Sequence, residues 1–176
     1  DPAFLFQSLC PQMKNQTFHH AFRIVYSGIV RELITDVTIA LPSSTHPGPA
    51  KEFKNFLALW DTGATHSVIT KNVVNAVGLI PTGKATVKGV NSEDIVNTYI
   101  VDVGLPNRVL FTNVNVSEGL LQGHYYVIIG MDIIQAGDFS IANANGITTF
   151  SYCCPPHKNP IDLLEKSERV NPKRKH

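Results

Sequence analysis

The sequence predicts a mostly β domain of short antiparallel or mixed strands with one or two short helices. Three observations carry that expectation. Segments of alternating apolar and polar residues recur along the chain, each bounded by Gly, Pro, Asn or Ser. Two short runs, Phe56-Leu-Ala-Leu-Trp60 and Val127-Ile-Ile129, are apolar at every position and read as buried strands. Asn145-Gly146, set between Phe139-Ser-Ile141 and Ile147-Thr-Thr-Phe150, is a strong hairpin signal. With 176 residues, 43% of them hydrophobic, the chain suffices for one domain with its own core.

Taken in order, Val37, Ile39 and Leu41 alternate with Thr38 and Ala40, and Pro42 to Pro49 is rich enough in Pro, Gly and Ser to be a loop. The apolar run Phe56 to Trp60 leads straight into Asp61-Thr62-Gly63. Lys71 to Val77 reads as a short helix, with Thr70 as its cap and Gly78 as its stop. Pro81-Thr-Gly83 turns the chain. Ala85 to Val96, with small polar residues at its centre, suits a projecting hairpin. Tyr99, Val101 and Val103 alternate with Ile100 and Asp102, and Val114 and Val116 with Asn113 and Asn115, as in half-buried strands. Asp132 to Ala136, before Gly137, fits one or two helical turns. These elements divide the chain into an N-terminal extension, 1–34, whose later part can add strands, a central domain, 35–152, and a basic C-terminal tail, 153–176.

Composition excludes several classes. A formal charge of +1 argues against a nucleic-acid or membrane-surface partner, and the basic end Asn171 to His176 reads as a solvated tail. Cys10, Cys153 and Cys154 make no disulfide framework, and a bridge between adjacent cysteines is strained. No metal-ligand spacing is evident, so neither a metal nor another cofactor is expected. No secretory leader pattern or bilayer-length apolar run is seen, which makes a cytoplasmic location the default expectation.

The stretch Leu57-Ala-Leu-Trp-Asp61-Thr-Gly-Ala-Thr65 sets a carboxylate in a tight turn between apolar flanks, Leu57, Leu59 and Trp60 before it and Val68 and Ile69 after it. A turn that only joins strands has polar surroundings, and burying a lone carboxylate is costly. Two carboxylates about 3 Å apart supply a purpose: they cannot both ionise, so they share a proton. One then activates a water while the other donates to a scissile carbonyl.

The chain resembles the retropepsin-like aspartic proteases, the single-lobed relatives of the pepsins. The resemblance rests on Asp61-Thr-Gly-Ala-Thr65, on the hairpin around Lys88-Gly-Val-Asn91, and on Val127-Ile-Ile-Gly-Met-Asp132 before a short helix, and it spans roughly residues 35–152. It implies a closed, mostly antiparallel β fold and a C2 homodimer in which each copy contributes Asp61 to hydrolyse a peptide or protein substrate. It implies further that the Thr62 hydroxyl bonds across the dimer axis and that Gly63 lets the substrate backbone approach. Ala64, Thr65 and His66 would line the cleft, Val87, Lys88, Gly89, Val90 and Asn91 would form a flap, and Ile129 would belong to the substrate-binding set. Departures from the family pattern are the single flap glycine Gly89, the bulky Trp60 before the aspartate, and Thr65 and His66 in place of acidic residues. Asp132 is expected to cap its helix and Asp102 to lie on a polar strand face, so a second catalytic aspartate must come from a second chain. The alternative is a retropepsin-like module that dimerises or binds peptides with little catalysis.

Overall fold

The computed structural model describes residues 18–48, 51–88 and 93–171. Its strands are β1 (His20–Val25), β2 (Ile34–Ala40), β3 (Lys54–Trp60), β4 (Val68–Ile69), β5 (Gly83–Lys88), β6 (Glu93–Gly104), β7 (Leu110–Glu118), β8 (Val127–Ile129), β9 (Asp138–Ala142) and β10 (Thr149–Cys154). Its α-helices are α1 (Lys71–Val77), α2 (Met131–Ile134) and α3 (Leu163–Val170).

Seven strands form one sheet in the order β2-β3-β8-β4-β7-β6-β5, and β2 also pairs with β6. That extra pairing, Thr38 opposite Gly104 through Ala40 opposite Asp102, closes six of the strands into a barrel and leaves β5 as an added arm on β6. The barrel is mixed and mostly antiparallel, within the antiparallel or mixed β class that the alternation predicts. Strand β8 is inserted between β3 and β4, and this makes β3–β8 and β4–β7 parallel while the other seams remain antiparallel. Inside sit fully buried side chains such as Ile39, Tyr99, Val101, Val116 and Ile129. A separate sheet, β1-β10-β9, packs beside the barrel.

Where sequence and structure agree, the local reason is visible. Helix α1 stops where Gly78 takes the left-handed conformation, φ 78°, which suits a residue without Cβ, and its N–H bonds back to the Val74 carbonyl. The β9–β10 hairpin turns through Asn145 and Gly146, both at positive φ. Its connection is longer than a two-residue turn, since a 3-10 turn spans Ala144–Gly146 and β10 begins only at Thr149.

Two expectations are corrected. Thr70 occupies the cap position of α1 with extended backbone, yet its side chain makes no cap hydrogen bond and its hydroxyl is buried with no partner among the described residues. Asp102 is fully buried rather than on a polar face. The register shifts between Val101 and Val103, and this irregularity breaks the alternation at Asp102. Lys51 Nζ lies 2.7 Å from its carboxylate, the Ser43 and Asn113 backbone N–H groups donate to it, and so does the Ser43 hydroxyl. The C-terminal tail carries α3, capped by the Asp162 carboxylate, which accepts from Leu164 and Glu165 N–H; the helix buries none of its residues. Among the described residues no helix is long and apolar enough to cross a membrane.

Candidate active site

Strand β3 delivers Asp61 to the end of the barrel, and the residue before it fixes the approach. Trp60 is buried, its backbone N–H donates to Leu33 O at 2.9 Å, and its indole N–H donates to the Thr35 hydroxyl at 2.9 Å. Its ring meets Tyr152 at a centroid distance of 4.9 Å, Phe150 at 5.2 Å and Phe22 at 5.8 Å. The bulk that departs from the family pattern thus couples the aspartate's strand to the three-stranded sheet through an aromatic cluster.

Beyond Trp60 the chain turns over the end of β8. Asp61 N–H donates to Ile129 O at 3.0 Å, and Ala64 N–H to Asp61 O at 3.2 Å. The Gly63 N–H donates to Asp61 Oδ1 at 2.8 Å, which orients the carboxylate. A Cβ on Gly63 would stand 3.1 Å from that same oxygen, so glycine keeps the carboxylate clear. Gly130 is more tightly enclosed: a Cβ there would lie 2.6 Å from the His66 carbonyl carbon and 2.9 Å from Ala64 O. Only a bare backbone lets β8 pass beneath the loop, and Met131 N–H then donates to Ala64 O at 2.8 Å.

The far side of the loop is tied down by two residues that the sequence analysis did not assign to the site. Ser67 is buried, its N–H donates to Asp132 Oδ2 at 3.0 Å, and its hydroxyl donates to Asp132 Oδ1 at 2.8 Å while accepting from Gly130 N–H at 3.1 Å. Asp132 therefore faces the loop that carries Asp61. Gly130 holds the cap position of α2, and the expected capping role reduces to a bond from Ile133 N–H at 3.0 Å. Nothing in the sequence pairs two residues 65 positions apart.

Of the residues singled out from sequence, Asp61 and Ala64 are half-buried, and Thr62, Gly63, Thr65 and His66 are exposed. In the single chain the Asp61 turn is therefore a surface feature, less enclosed than its apolar flanks suggested. Ile129 is fully buried, so it serves the loop through its carbonyl and not by touching a peptide. Val87 and Lys88 end β5, while Gly89, Val90 and Asn91 lie outside the described residues. A cleft of about 350 Å³ opens beside Asp61 and Thr62, lined also by Arg31, Phe139, Ile141 and Thr148. Tyr126, next to the apolar β8 run, is partly exposed with its ring 6.3 Å from Phe56.

No protein-family model matches the chain, and no curated protein matches it. Solved structures do. A retropepsin-like aspartic protease from Rickettsia conorii is similar at TM-score 0.50 and 16% identity, over 78% of this chain and 96% of that one. The EIAV protease complexed with the inhibitor HBY-793 gives TM-score 0.41 and 21% identity over 60% of this chain and 86% of that one. The retroviral protease-like domain of Ddi1 from Leishmania major gives 0.38 and 17% over 65% and 91%. The chain has the retropepsin-like fold.

Proposed function

We propose that this chain, built on the retropepsin-like fold, is an aspartic endopeptidase that hydrolyses peptide bonds as a homodimer, with one Asp61 from each copy. The observation that carries the proposal is the state of Asp61: a half-buried carboxylate at the tip of a braced loop, oriented by the Gly63 N–H, with exposed Thr62 and Gly63 beside it. The other carboxylates considered are committed elsewhere, Asp132 to Ser67 and Asp102 to Lys51 and Ser43. A dyad therefore requires a second chain. Exposed Ile141 lines the cleft beside Asp61, and Ile147 precedes its neighbour Thr148, so apolar surface is available where a second copy would sit.

With two Asp61 side chains in contact, only one ionises and the pair holds one proton. The ionised member takes a proton from a water lying between them as that water attacks the carbonyl carbon. The protonated member donates to the carbonyl oxygen, and collapse of the tetrahedral intermediate sends a proton to the leaving amine. Thr62 hydroxyls exposed at the axis bond between the copies, and the bare Gly63 admits the substrate backbone. The β5–β6 arm, in which edge strand β5 pairs with β6, closes over the peptide.

Cleavage of a peptide library by the wild-type chain and by Asp61→Asn, with and without a statine-type inhibitor, tests this reading. Wild type should cut and be inhibited, while Asp61→Asn should keep its fold and lose cleavage by several orders of magnitude. Cleavage retained by Asp61→Asn rules out the aspartic mechanism, and no cleavage by either favours the binding module.

A further inference from the structure

We propose that His19, Cys153 and His157 form a zinc site that fastens the stretch before β1 to the stretch after β10. One ring nitrogen from each histidine and the Cys153 Sγ lie within 4.8 Å of one another. The sheet register creates the cluster. His20 is paired with Cys154 across β1 and β10, so His19 arrives beside the end of β10, and Asp138 of β9 stands opposite Cys153. His157 returns over the same end, its backbone N–H donating to Asp138 Oδ2 at 2.8 Å.

The hydrogen bonds around the rings suit a metal. His19 Nδ1 lies 3.0 Å from Pro155 O, a carbonyl that only accepts, so Nδ1 carries the proton and Nε2 keeps its lone pair. His157 Nδ1 lies 2.6 Å from Asp138 Oδ2, which likewise leaves Nε2 free in the neutral ring. A ligating histidine held from behind by a carboxylate or a backbone carbonyl is the usual outer arrangement of a zinc site. The third donor, the Cys153 thiol, is buried and points 3.7 Å from the same Pro155 carbonyl. On ligation it releases its proton to solvent, and the thiolate and the Asp138 carboxylate together balance the charge of Zn²⁺.

Two nitrogens and one sulfur fit zinc's tetrahedral preference, with the fourth position open to water. Tetrahedral bonds of about 2.0–2.3 Å place ligand atoms roughly 3.3–3.6 Å apart. The rings, now stacked at 4.4 Å and 11°, must therefore splay and close on the sulfur. Both histidines are exposed, so their rings turn at the surface and not within a packed core. The sequence conceals the site because its ligands combine a close pair, Cys153 and His157, with a histidine from the other end of the chain.

The test is cobalt titration of the full chain after chelator treatment, followed by zinc competition. Wild type should take up one Co²⁺ with an intense thiolate-to-cobalt charge-transfer absorption that zinc abolishes, and zinc should raise its melting temperature. Cys153→Ser should lose the absorption, Cys10→Ser and Cys154→Ser should keep it, and Asp138→Asn should weaken binding about 10–100-fold. Asp61→Asn should bind as wild type does, which separates this site from the proposed protease. Should Cys153→Ser fail to fold, the His19→Asn, His157→Asn double variant, altered only at exposed positions, decides the matter by losing the absorption. No absorption from wild type at millimolar cobalt, or absorption retained by Cys153→Ser or by the double histidine variant, overturns the proposal.

Discussion

Two single residues set how firmly the Asp61 loop is held. At Gly130 a Cβ would meet the His66 and Ala64 backbone at 2.6–2.9 Å, and backbone cannot move aside as a side-chain tip can. Gly130→Ala should therefore cost about 1–3 kcal/mol in urea unfolding and reduce any cleavage along with it; wild-type stability would show that β8 does not run so close beneath the loop. Buried Asp102 makes a second prediction. Burial alone would raise its pKa, but Lys51, Ser43 and the Asn113 N–H outweigh that and hold it below its ordinary 3.8. A carboxyl depressed in the folded state stabilises fully above its unfolded value, and that contribution disappears as pH falls through the lower, folded value. The urea midpoint should thus lose this contribution only below about pH 3.8. Lys51→Met, which leaves the carboxylate buried without its counter-charge, should cost about 3–5 kcal/mol at neutral pH; a loss under 1 kcal/mol would mean the pair is solvated. The sequence made Asp61 legible because a chemical pattern surrounds it. Ser67, Asp132 and the burial of Asp102 were not legible, since each depends on a partner at least 51 positions away or on a register shift.

At the scale of elements, strand and helix limits followed the local pattern closely, because turn residues and alternation are local. Helix α1 begins and ends where Thr70 and Gly78 said it would. Its cap chemistry differs: the Thr70 hydroxyl is buried and bonds to nothing among the described residues. Thr70→Val, which keeps the shape and removes the orphaned hydroxyl, should leave thermal stability unchanged or raise it; a loss near 1 kcal/mol would restore the side-chain cap. What alternation could not disclose is strand order. An apolar run such as Val127–Ile129 states that it is buried, not that it enters between β3 and β4 and pairs parallel to one and antiparallel to the other. Helix α3 was not anticipated although Asp162 and Glu165 have the spacing of a capping box; its apolar residues Leu163, Leu164 and Val170 all stay exposed, so no buried face marks it.

At the scale of the whole molecule, the barrel, the added sheet and the Trp60 cluster hold the Asp61 loop, one half of the proposed catalytic centre. The proposed dimer is the step on which the function rests, and it has a kinetic signature: activity per chain should fall on dilution as copies separate. Subunit mixing tests it most directly. Wild-type chain at fixed concentration is equilibrated with increasing Asp61→Asn, and cleavage of one peptide is followed. If each site needs an Asp61 from both copies, mixed dimers are inactive, and activity should decline toward zero as the variant captures wild-type chains. Activity that stays constant as the variant is added would mean that each chain cleaves alone, contradicting the shared Asp61 dyad.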